Sequence, residues 1–295
     1  MPRFPRSAHL HLRRRLMVGA IAVTILALAS GASAFNFTTI DVPGALNTAP
    51  FGLNRADRIV GGFLDDTGAE HGLLRRKDGR FVTIDVPGAF ATEPHGINNA
   101  GKIVGVYLDE NLQQRGFLLD NGTFTTFDAP FPDATDTIGW GINKTGQIVG
   151  YYLDSDAVPH GFLRQPDGSF TAIDAPGASC GTYALGIDNN GTIVGLFDDC
   201  SAAHAFKLAG GTFTTIDPPG ATVSEALGIA RRRIVGDYTD GGGNVHGFLL
   251  VKGVFTTIDV PGAVATLPAG INRAGNIVGL YTDAAGNAHG FLAVP

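Results

Sequence analysis

Residues 96–130 read GINNAGKIVGVYLDENLQQRGFLLDNGTFTTFDAP, and this stretch predicts four short antiparallel strands joined by tight turns. The first strand turns through residues 98–101, a pattern suited to a turn that closes on a left-handed glycine, into a strand at 103–107. A polar hairpin leads back along 116–119, and Asn121-Gly122 starts a fourth strand that ends at a proline. Four antiparallel strands in about 43 residues match one blade of a β-propeller.

The same unit occurs six times along the chain. Segments similar to FTTIDVPGA begin at Phe37, Phe81, Phe124, Phe170, Phe213 and Phe255, with spacings of 44, 43, 46, 43 and 42 residues. The pattern G-I-N-x-x-G-x-I-V-G, or a variant of it, begins at Gly52, Gly96, Gly141, Gly186, Gly228 and Gly270. Glycine accounts for 42 of the 295 residues, about twice its usual ~7% share, which disfavours helix. An all-β repeat protein is therefore predicted.

The two ends of the chain complement each other. The repeat region begins with a lone fourth strand at residues 37–43, whereas the last unit stops after its third strand at 291–292. We expect the N-terminal strand to complete the last blade, which closes the ring and leaves no exposed sheet edge. An open β-solenoid is the alternative, but it would more naturally carry capping elements at both ends. The predicted fold is a six-bladed β-propeller of four-stranded antiparallel blades over residues 35–295.

Residues 1–34 differ from the rest of the chain. They contain five arginines and no acidic residue, followed by an apolar run at 16–29 and by Ala32-Ser33-Ala34, which predicts a cleaved signal peptide. Cleavage would leave 16 of the 21 basic residues against 27 acidic ones, a net charge of −11. This acidity argues against nucleic acid as a partner. We expect a secreted or periplasmic monomer without a membrane span.

The segment GINNAGKIVGVYLD, followed by a His-Gly/Ala-Phe strand, resembles the bacterial extracellular HAF repeats, named after their His-Ala-Phe tripeptide. His204-Ala205-Phe206 matches the tripeptide literally, whereas the other five copies read HGL, RGF or HGF. The resemblance extends over residues 36–292. It implies secretion and a repeat architecture, and it brings no established chemistry or cofactor.

Each unit also contains a D-x5-H hairpin, with arginine in place of histidine in one copy. Histidine and carboxylate are the usual pair in acid–base catalysis and metal binding. A pair that occurs once in every unit is more economically structural, and we interpret it as a bond across each hairpin. The pairs are Asp65 and His71, Asp109 and Arg115, Asp154 and His160, Asp198 and His204, Asp240 and His246, and Asp283 and His289. The aspartate of each FTTID segment is expected to accept local backbone hydrogen bonds.

A specific ligand site should lie where the units differ. Trp140, the only tryptophan, follows a longer connection that contains Asp133 and Asp136. An aromatic ring beside carboxylates could stack on a sugar and bond its hydroxyls, although a tryptophan that covers a loop is the simpler interpretation. The run Arg231–Arg233 replaces one Asn-x-x-Gly turn and deletes a residue. It is either a solvated turn or an anion site, on the face opposite the D-x5-H hairpins.

Cys180 and Cys200 are the only cysteines. Cys180 precedes the first strand of its unit and Cys200 lies in the hairpin between the second and third strands, two connections that emerge on the same face of a blade. In an exported protein this pair predicts a disulfide.

The sequence contains none of the standard catalytic motifs, and no metal site or cofactor is predicted. Our main hypothesis is an exported, non-catalytic scaffold or binding module that recognises carbohydrate, peptide or a surface partner. The alternative is a propeller hydrolase or lyase that acts on an extracellular polymer or lactone through the central channel, with residues contributed by several blades.

Overall fold

Strands form all the regular secondary structure of residues 35–295, the part of the chain that the computed structural model describes. The predicted signal peptide lies outside these residues. In chain order the strands are β1 Asn36–Ile40, β2 Asn47–Leu53, β3 Ile59–Leu64, β4 Glu70–Arg75, β5 Phe81–Ile84, β6 Ala91–Ile97, β7 Ile103–Leu108, β8 Gln114–Asp120, β9 Thr123–Phe127, β10 Asp136–Ile142, β11 Ile148–Leu153, β12 Pro159–Arg164, β13 Phe170–Ile173, β14 Gly181–Ile187, β15 Ile193–Asp198, β16 Ala203–Ala209, β17 Thr212–Thr215, β18 Val223–Ala230, β19 Arg233–Thr239, β20 Val245–Val251, β21 Val254–Ile258, β22 Ala265–Ile271, β23 Ile277–Thr282 and β24 Ala288–Val294.

These strands form six successive antiparallel meanders. We number them unit 1 (β2–β5), unit 2 (β6–β9), unit 3 (β10–β13), unit 4 (β14–β17), unit 5 (β18–β21) and unit 6 (β22–β24 with β1). The first strand of each unit is the inner strand, and the fourth lies at the outer edge.

The Asn-x-x-Gly turn joins the first two strands as predicted. In unit 2 the side-chain Oδ1 of Asn98 accepts hydrogen bonds from the N–H groups of Ala100 and Lys102, at 3.0 and 3.1 Å. Gly101 closes the turn with a φ of +88°, in the left-handed region where glycine is favoured. The motif is therefore a local device that reverses the chain between β6 and β7.

The sheets differ from the predicted six separate blades. Units 1–4 are four separate four-stranded sheets, whereas the eight strands of units 5 and 6 form one sheet. A single parallel pair, Val245 with Ala265, joins β20 to β22 and merges the two meanders. At the corresponding place between units 2 and 3, the side chain of Asp136 accepts the N–H of Gln114 at 2.9 Å. The carboxylate of Asp136 thus occupies the backbone N–H of Gln114, and units 2 and 3 remain separate sheets.

The N-terminal strand closes the ring, as predicted. β1 pairs antiparallel with β24 from Asn36 opposite Val294 to Ile40 opposite Gly290, and β2 packs against β22, β23 and β24 of the last unit. The first and last units are therefore neighbours, which excludes the open solenoid.

The inner strands pack closely around a central channel. A Cβ atom at Gly96 would lie only 2.6 Å from the carbonyl oxygen of Trp140 in the next unit, and one at Gly270 would lie 2.5 Å from that of Phe51 in unit 1. The glycine before the Ile-Asn pair is therefore required by the approach of neighbouring inner strands.

The hydrophobic core lies between adjacent units. One cluster combines Val60 and Ile84 of unit 1 with Ile103 and Phe117 of unit 2. The phenylalanine of each His-Gly/Ala-Phe strand is fully buried, at Phe117, Phe162, Phe206, Phe248 and Phe291. This explains why the third strand carries the motif, because its aromatic ring fills the space between two blades.

The predicted disulfide between Cys180 and Cys200 is confirmed, with 5.2 Å between the two Cα atoms. It ties the loop before β14 to the hairpin between β15 and β16. Within residues 35–295 no helix is long and apolar enough to span a membrane.

Candidate functional site

A cavity of about 220 Å³ lies where the turns between the first and second strands of all six units converge. We call it the Asn-turn mouth of the channel. Its floor is formed by Leu53, Ile97, Ile142, Ile187, Ile229 and Ile271, and its wall by Asn54, Arg55, Asn98, Asn99, Asn143, Lys144, Asp188, Asn189, Asn190, Ala230, Arg231, Asn272 and Arg273. An aliphatic floor below an amide and cationic wall suits a polar ligand group that enters from solvent.

Buried amides link the turns around this mouth. Each donates its side-chain N–H to the backbone carbonyl of the equivalent residue in the next unit: Asn54 to Asn98 at 3.2 Å, Asn98 to Asn143 at 3.1 Å, Asn143 to Asp188 at 3.3 Å and Asn272 to Asn54 at 3.2 Å. These bonds cross four of the boundaries between units. They hold the rim of the cavity in a fixed shape, because a buried amide that loses its partner is costly.

The amide ring is interrupted at units 4 and 5. Asp188 occupies the Asn position of unit 4, and its Oδ1 accepts the N–H groups of Asn190 and Thr192, at 2.8 and 3.1 Å. Ala230 occupies that position in unit 5 and has no side-chain donor. The mouth is therefore asymmetric, with one part of its rim that differs from the rest.

The arginine run of unit 5 lies at this mouth. Arg231 and Arg232 form a shortened turn with φ values of 51° and 64°. The guanidinium of Arg233 reaches across to unit 6, where it donates to the carbonyl oxygens of Arg273 at 2.7 Å and Ala274 at 3.4 Å. Arg233 thereby fixes the position of the neighbouring turn, which carries Arg273.

An aromatic cluster lies on three of the inner strands, one layer below this floor. The rings of Phe51, His95 and Trp140, from three successive inner strands, pack together, with His95 stacked on Trp140 at 4.0 Å between centroids. His95 is only 2% exposed. Its Nδ1 lies 2.8 Å from the carbonyl oxygen of Gly139, and its Nε2 lies 3.2 Å from Oε2 of Glu93. Both ring nitrogens of this histidine are therefore engaged inside the protein.

The structure does not bring Trp140 together with Asp133 and Asp136. Trp140 lies within β10, and Asp136 lies four residues earlier at the start of that strand, about 13 Å away. Asp133 lies in an exposed turn with a φ of 65°. The residue before the glycine of each G-I-N motif, which reads Phe, His and Trp in units 1–3, is the sequence signal that indicates the aromatic cluster.

The D-x5-H hairpins lie at the opposite ends of the blades from the Asn-turn mouth. In each histidine unit Nδ1 bonds the FTTID aspartate and Nε2 faces a hairpin aspartate, so the imidazole lies between two carboxylates. The Nδ1 distances are 2.9 Å for His71 to Asp85, 2.9 Å for His160 to Asp174, 2.8 Å for His204 to Asp217, 2.9 Å for His246 to Asp259 and 2.8 Å for His289 to Asp41. The Nε2 distances are 3.5 Å for His71 to Asp65, 3.4 Å for His160 to Asp154, 3.7 Å for His204 to Asp199, 3.5 Å for His246 to Asp240 and 3.4 Å for His289 to Asp283.

Two units depart from this pattern. In unit 2, Arg115 makes the same bridge, with Nε 2.7 Å from Asp109 and a terminal nitrogen 2.7 Å from Asp128. In unit 4 the hairpin partner is Asp199, not the predicted Asp198. Asp198 is instead the last residue of β15, where it pairs with Ala203 and accepts the N–H of Cys200 at 2.7 Å. The hairpin of unit 4 is one residue shorter than that of unit 3, since the N–H of Asp199 bonds the carbonyl of Ala202 whereas that of Asp154 bonds the carbonyl of Val158, and Asp199 therefore takes the place of the hairpin aspartate.

The hydrogen bonds of the hairpins shift the pKa values of several of their histidine and aspartate side chains. The bond to Asp85 raises the pKa of His71, and the bonds to Asp259 and Asp41 do the same for His246 and His289. Burial opposes the effect at His160, but its two aspartates still raise the pKa. On the acidic side, the hydroxyl of Thr67 lowers the pKa of Asp65 to about 2. Among residues 35–295 no group of three or more histidine, cysteine or acidic side chains is arranged to hold a metal.

Comparisons with known proteins show the fold. No family model matches the chain, and no curated protein matches it significantly. Among solved structures it is similar to TolB from Acinetobacter baumannii, with a TM-score of 0.58 and 13% identity over 80% of this chain and 63% of that one. It is also similar to virginiamycin B lyase from Staphylococcus aureus, with a TM-score of 0.50 and 14% identity over 88% of this chain and all of that one. The Aleuria aurantia lectin matches with a TM-score of 0.50 and 11% identity over 88% and 98%. At these identities the similarity establishes an all-β propeller with four-stranded blades and nothing more specific.

Proposed function

We propose that this protein is an exported, non-catalytic β-propeller that binds a ligand at the Asn-turn mouth. The observation that carries the proposal is the asymmetric cavity, with its aliphatic floor and its wall of amides and cations. We further propose that units 5 and 6 act as two blades, since one residue pair joins them, which gives six blades around the channel.

The environment of the histidines supports binding over catalysis. A general acid or base must reach the substrate with a nitrogen that can exchange a proton. The nitrogens of His95 are engaged by Gly139 and Glu93, and its ring is stacked on Trp140. The five hairpin histidines are each held between two aspartates at the far ends of the blades. The cavity itself is lined by groups that bind well but do not transfer protons readily near neutral pH.

The proposed ligand is carbohydrate, peptide or a surface partner. A protein of similar fold, the Aleuria aurantia lectin, was solved in complex with Fucα1-6GlcNAc. Asparagine amides offer both a donor and an acceptor, which suits sugar hydroxyls and peptide groups equally.

Export of this protein is proposed on two grounds. Residues 1–34 have the composition of a signal peptide, and the Cys180–Cys200 disulfide is typical of proteins folded in an oxidising compartment. The resemblance to HAF repeats agrees with this compartment. N-terminal sequencing of protein recovered outside the cytoplasm should begin at Phe35, and a product that retains the N-terminal arginines would contradict export with cleavage.

Isothermal calorimetry with a panel of oligosaccharides and short peptides tests the binding site. Asn190→Trp places an indole in the cavity wall, and we expect it to abolish binding. Glu110→Trp, in an exposed hairpin at the opposite end of unit 2, is the matched control and should bind as the parent does. Binding that survives Asn190→Trp would exclude the mouth as the site. Chemical conversion of a bound compound would instead support the hydrolase or lyase alternative.

A further inference from the structure

We propose that the Asn-turn mouth recognises an anionic group of its ligand: a carboxylate, sulfate or phosphate. This inference rests on the proposed binding function and adds the charge of the ligand to it. The inference is based on the residue that directly follows the asparagine of the G-I-N pattern, or its replacement, in each unit. That residue is Arg55, Asn99, Lys144, Asn189, Arg231 and Arg273 in units 1 to 6, so four cations and two amides surround one cavity.

The four cations are available to a ligand. Arg55, Lys144, Arg231 and Arg273 are exposed at the rim. Among residues 35–295, none of these four side chains lies within ion-pair distance of a carboxylate, whereas Arg80, Lys102 and Arg115 each do. Cations at the rim that form no ion pair within the described residues favour the binding of an anion from solution.

The carboxylates near this mouth are already engaged as acceptors. Oδ1 of Asp57 accepts the amide N–H groups of Asn272 and Asn276, at 3.0 and 2.9 Å. Asp188 accepts two backbone N–H groups within its own turn. Both acids therefore shape the rim, and in the described part of the chain neither forms an ion pair with any of the four cations.

The cations are concentrated on one side of the cavity. Arg231, Arg273 and Arg55 belong to units 5, 6 and 1, which are consecutive around the ring, whereas Lys144 lies across the cavity in unit 3. The same side contains Ala230, where the amide ring is interrupted, and Arg233, which holds the turn of Arg273 in place. The geometry therefore centres the anion on the arc of three arginines.

Electrostatics makes such an arc favourable for an anion. Like charges around one cavity repel each other in the free protein, and a bound anion relieves that repulsion. Arginine presents a planar set of N–H donors that matches carboxylate, sulfate and phosphate oxygens. The net charge of residues 35–295 is −11. The cluster of positive charge at the mouth therefore has the opposite sign to the net charge of the repeat domain.

Calorimetric titration with sulfate, phosphate, galacturonate and acetylglutamate tests the inference, with galactose as the neutral probe. We expect saturable binding of at least one anion, weakened about tenfold or more in Arg231→Ala/Arg273→Ala because two charge-assisted contacts are lost. Arg76→Ala/Lys77→Ala removes two exposed positive charges from the β4–β5 turn, outside the cavity lining, and should bind as the parent does. Arg231→Lys/Arg273→Lys should recover part of the affinity.

The probes that bind identify the source of the anion. Galacturonate without galactose indicates an acidic saccharide, acetylglutamate indicates an acidic peptide, and sulfate or phosphate indicates a sulfated or phosphorylated ligand. Equal weakening in both double variants would overturn the inference, because it would indicate a general charge effect. A neutral ligand that is blocked by Asn190→Trp, with no anion bound, would also overturn it while leaving the proposed binding function intact.

Discussion

The imidazole of His95 lies face to face with the indole of Trp140, with 4.0 Å between ring centroids and 22° between ring planes. The two residues are 45 positions apart and occupy the same place in successive inner strands. Their stacking, together with the contact between His95 and Glu93, forms a polar and aromatic cluster on the inner strands of units 2 and 3. This cluster differs from the aliphatic residues Leu185 and Leu227 at the same place in units 4 and 5. The interior is therefore as asymmetric as the mouth above it.

Removing one partner of the contact between His95 and Glu93 should lower the free energy of unfolding, because the other polar group would be left buried without that partner. A double-mutant cycle with Glu93→Gln and His95→Gln, followed by urea unfolding, should give a coupling free energy of about 1.5–3 kcal/mol, the range for hydrogen bonds to charged groups. The pair His95→Gln and Glu110→Gln is the control and should be additive, since Glu110 lies in a distant hairpin. A coupling free energy near zero in the first cycle would show that the contact is not stabilising.

Stability should fall as the pH rises above about 6.5, the usual histidine pKa. The pKa values of His71, His160, His246 and His289 are raised in the folded protein. Their contribution is fully present below the unfolded pKa and is lost as the pH passes the folded value. Urea midpoints measured between pH 5.5 and 9 should show this decrease.

Unit 2 provides the matched variant for that measurement, because Arg115 already bridges two aspartates there without titrating. His71→Arg should retain the bridge to Asp65 and Asp85 at every pH and should remove one histidine's share of the decrease. An unchanged pH dependence in this variant would mean that the hairpin histidines are not its source.

Removal of β1 should open the ring. A chain that begins at Asp41 loses the pairing of Asn36–Ile40 with β24 and exposes the edge of that strand. We expect a lower melting temperature and concentration-dependent association, measured by calorimetry and light scattering. A chain that begins at Phe35 keeps the pairing and the packing of Phe35 on Phe37, and it should behave as the parent protein. A monomeric variant with an unchanged melting temperature would contradict closure by β1.

The disulfide should contribute stability without determining the fold. Cys180 and Cys200 are separated by 20 residues, for which loop-closure entropy predicts a stabilisation of about 3 kcal/mol. Cys180→Ser/Cys200→Ser should lower the free energy of unfolding by about that amount and leave the circular dichroism spectrum unchanged. Reducing agent should destabilise the parent protein and have no effect on the double variant. Two titratable thiols per unfolded chain, in protein recovered from outside the cytoplasm, would show that the bridge does not form there.

The mouth and the aromatic cluster were only partly predictable. The arginine run marked unit 5 as different, but its relation to Arg55 and Arg273 depends on a ring that brings distant turns to one cavity. The sequence predicts Trp140 beside Asp133 and Asp136, because it follows the connection that contains them. Its side chain instead packs on His95 of the preceding unit, a contact that is indicated only by comparing the residue before the motif glycine in successive units.

The amino-acid pattern alone predicts the strands, the Asn-x-x-Gly turns, the closure by the N-terminal strand and the pairing of the two cysteines. Each of these follows from hydrogen bonding and hydrophobic periodicity within one unit, or from the complementary ends of the repeat. Three features are known only from the folded chain: the merging of units 5 and 6 through Val245 and Ala265, the pairing of His204 with Asp199, and the convergence of cations at the mouth. These features depend on distances between residues in different elements, which are set when the inner strands close around the channel.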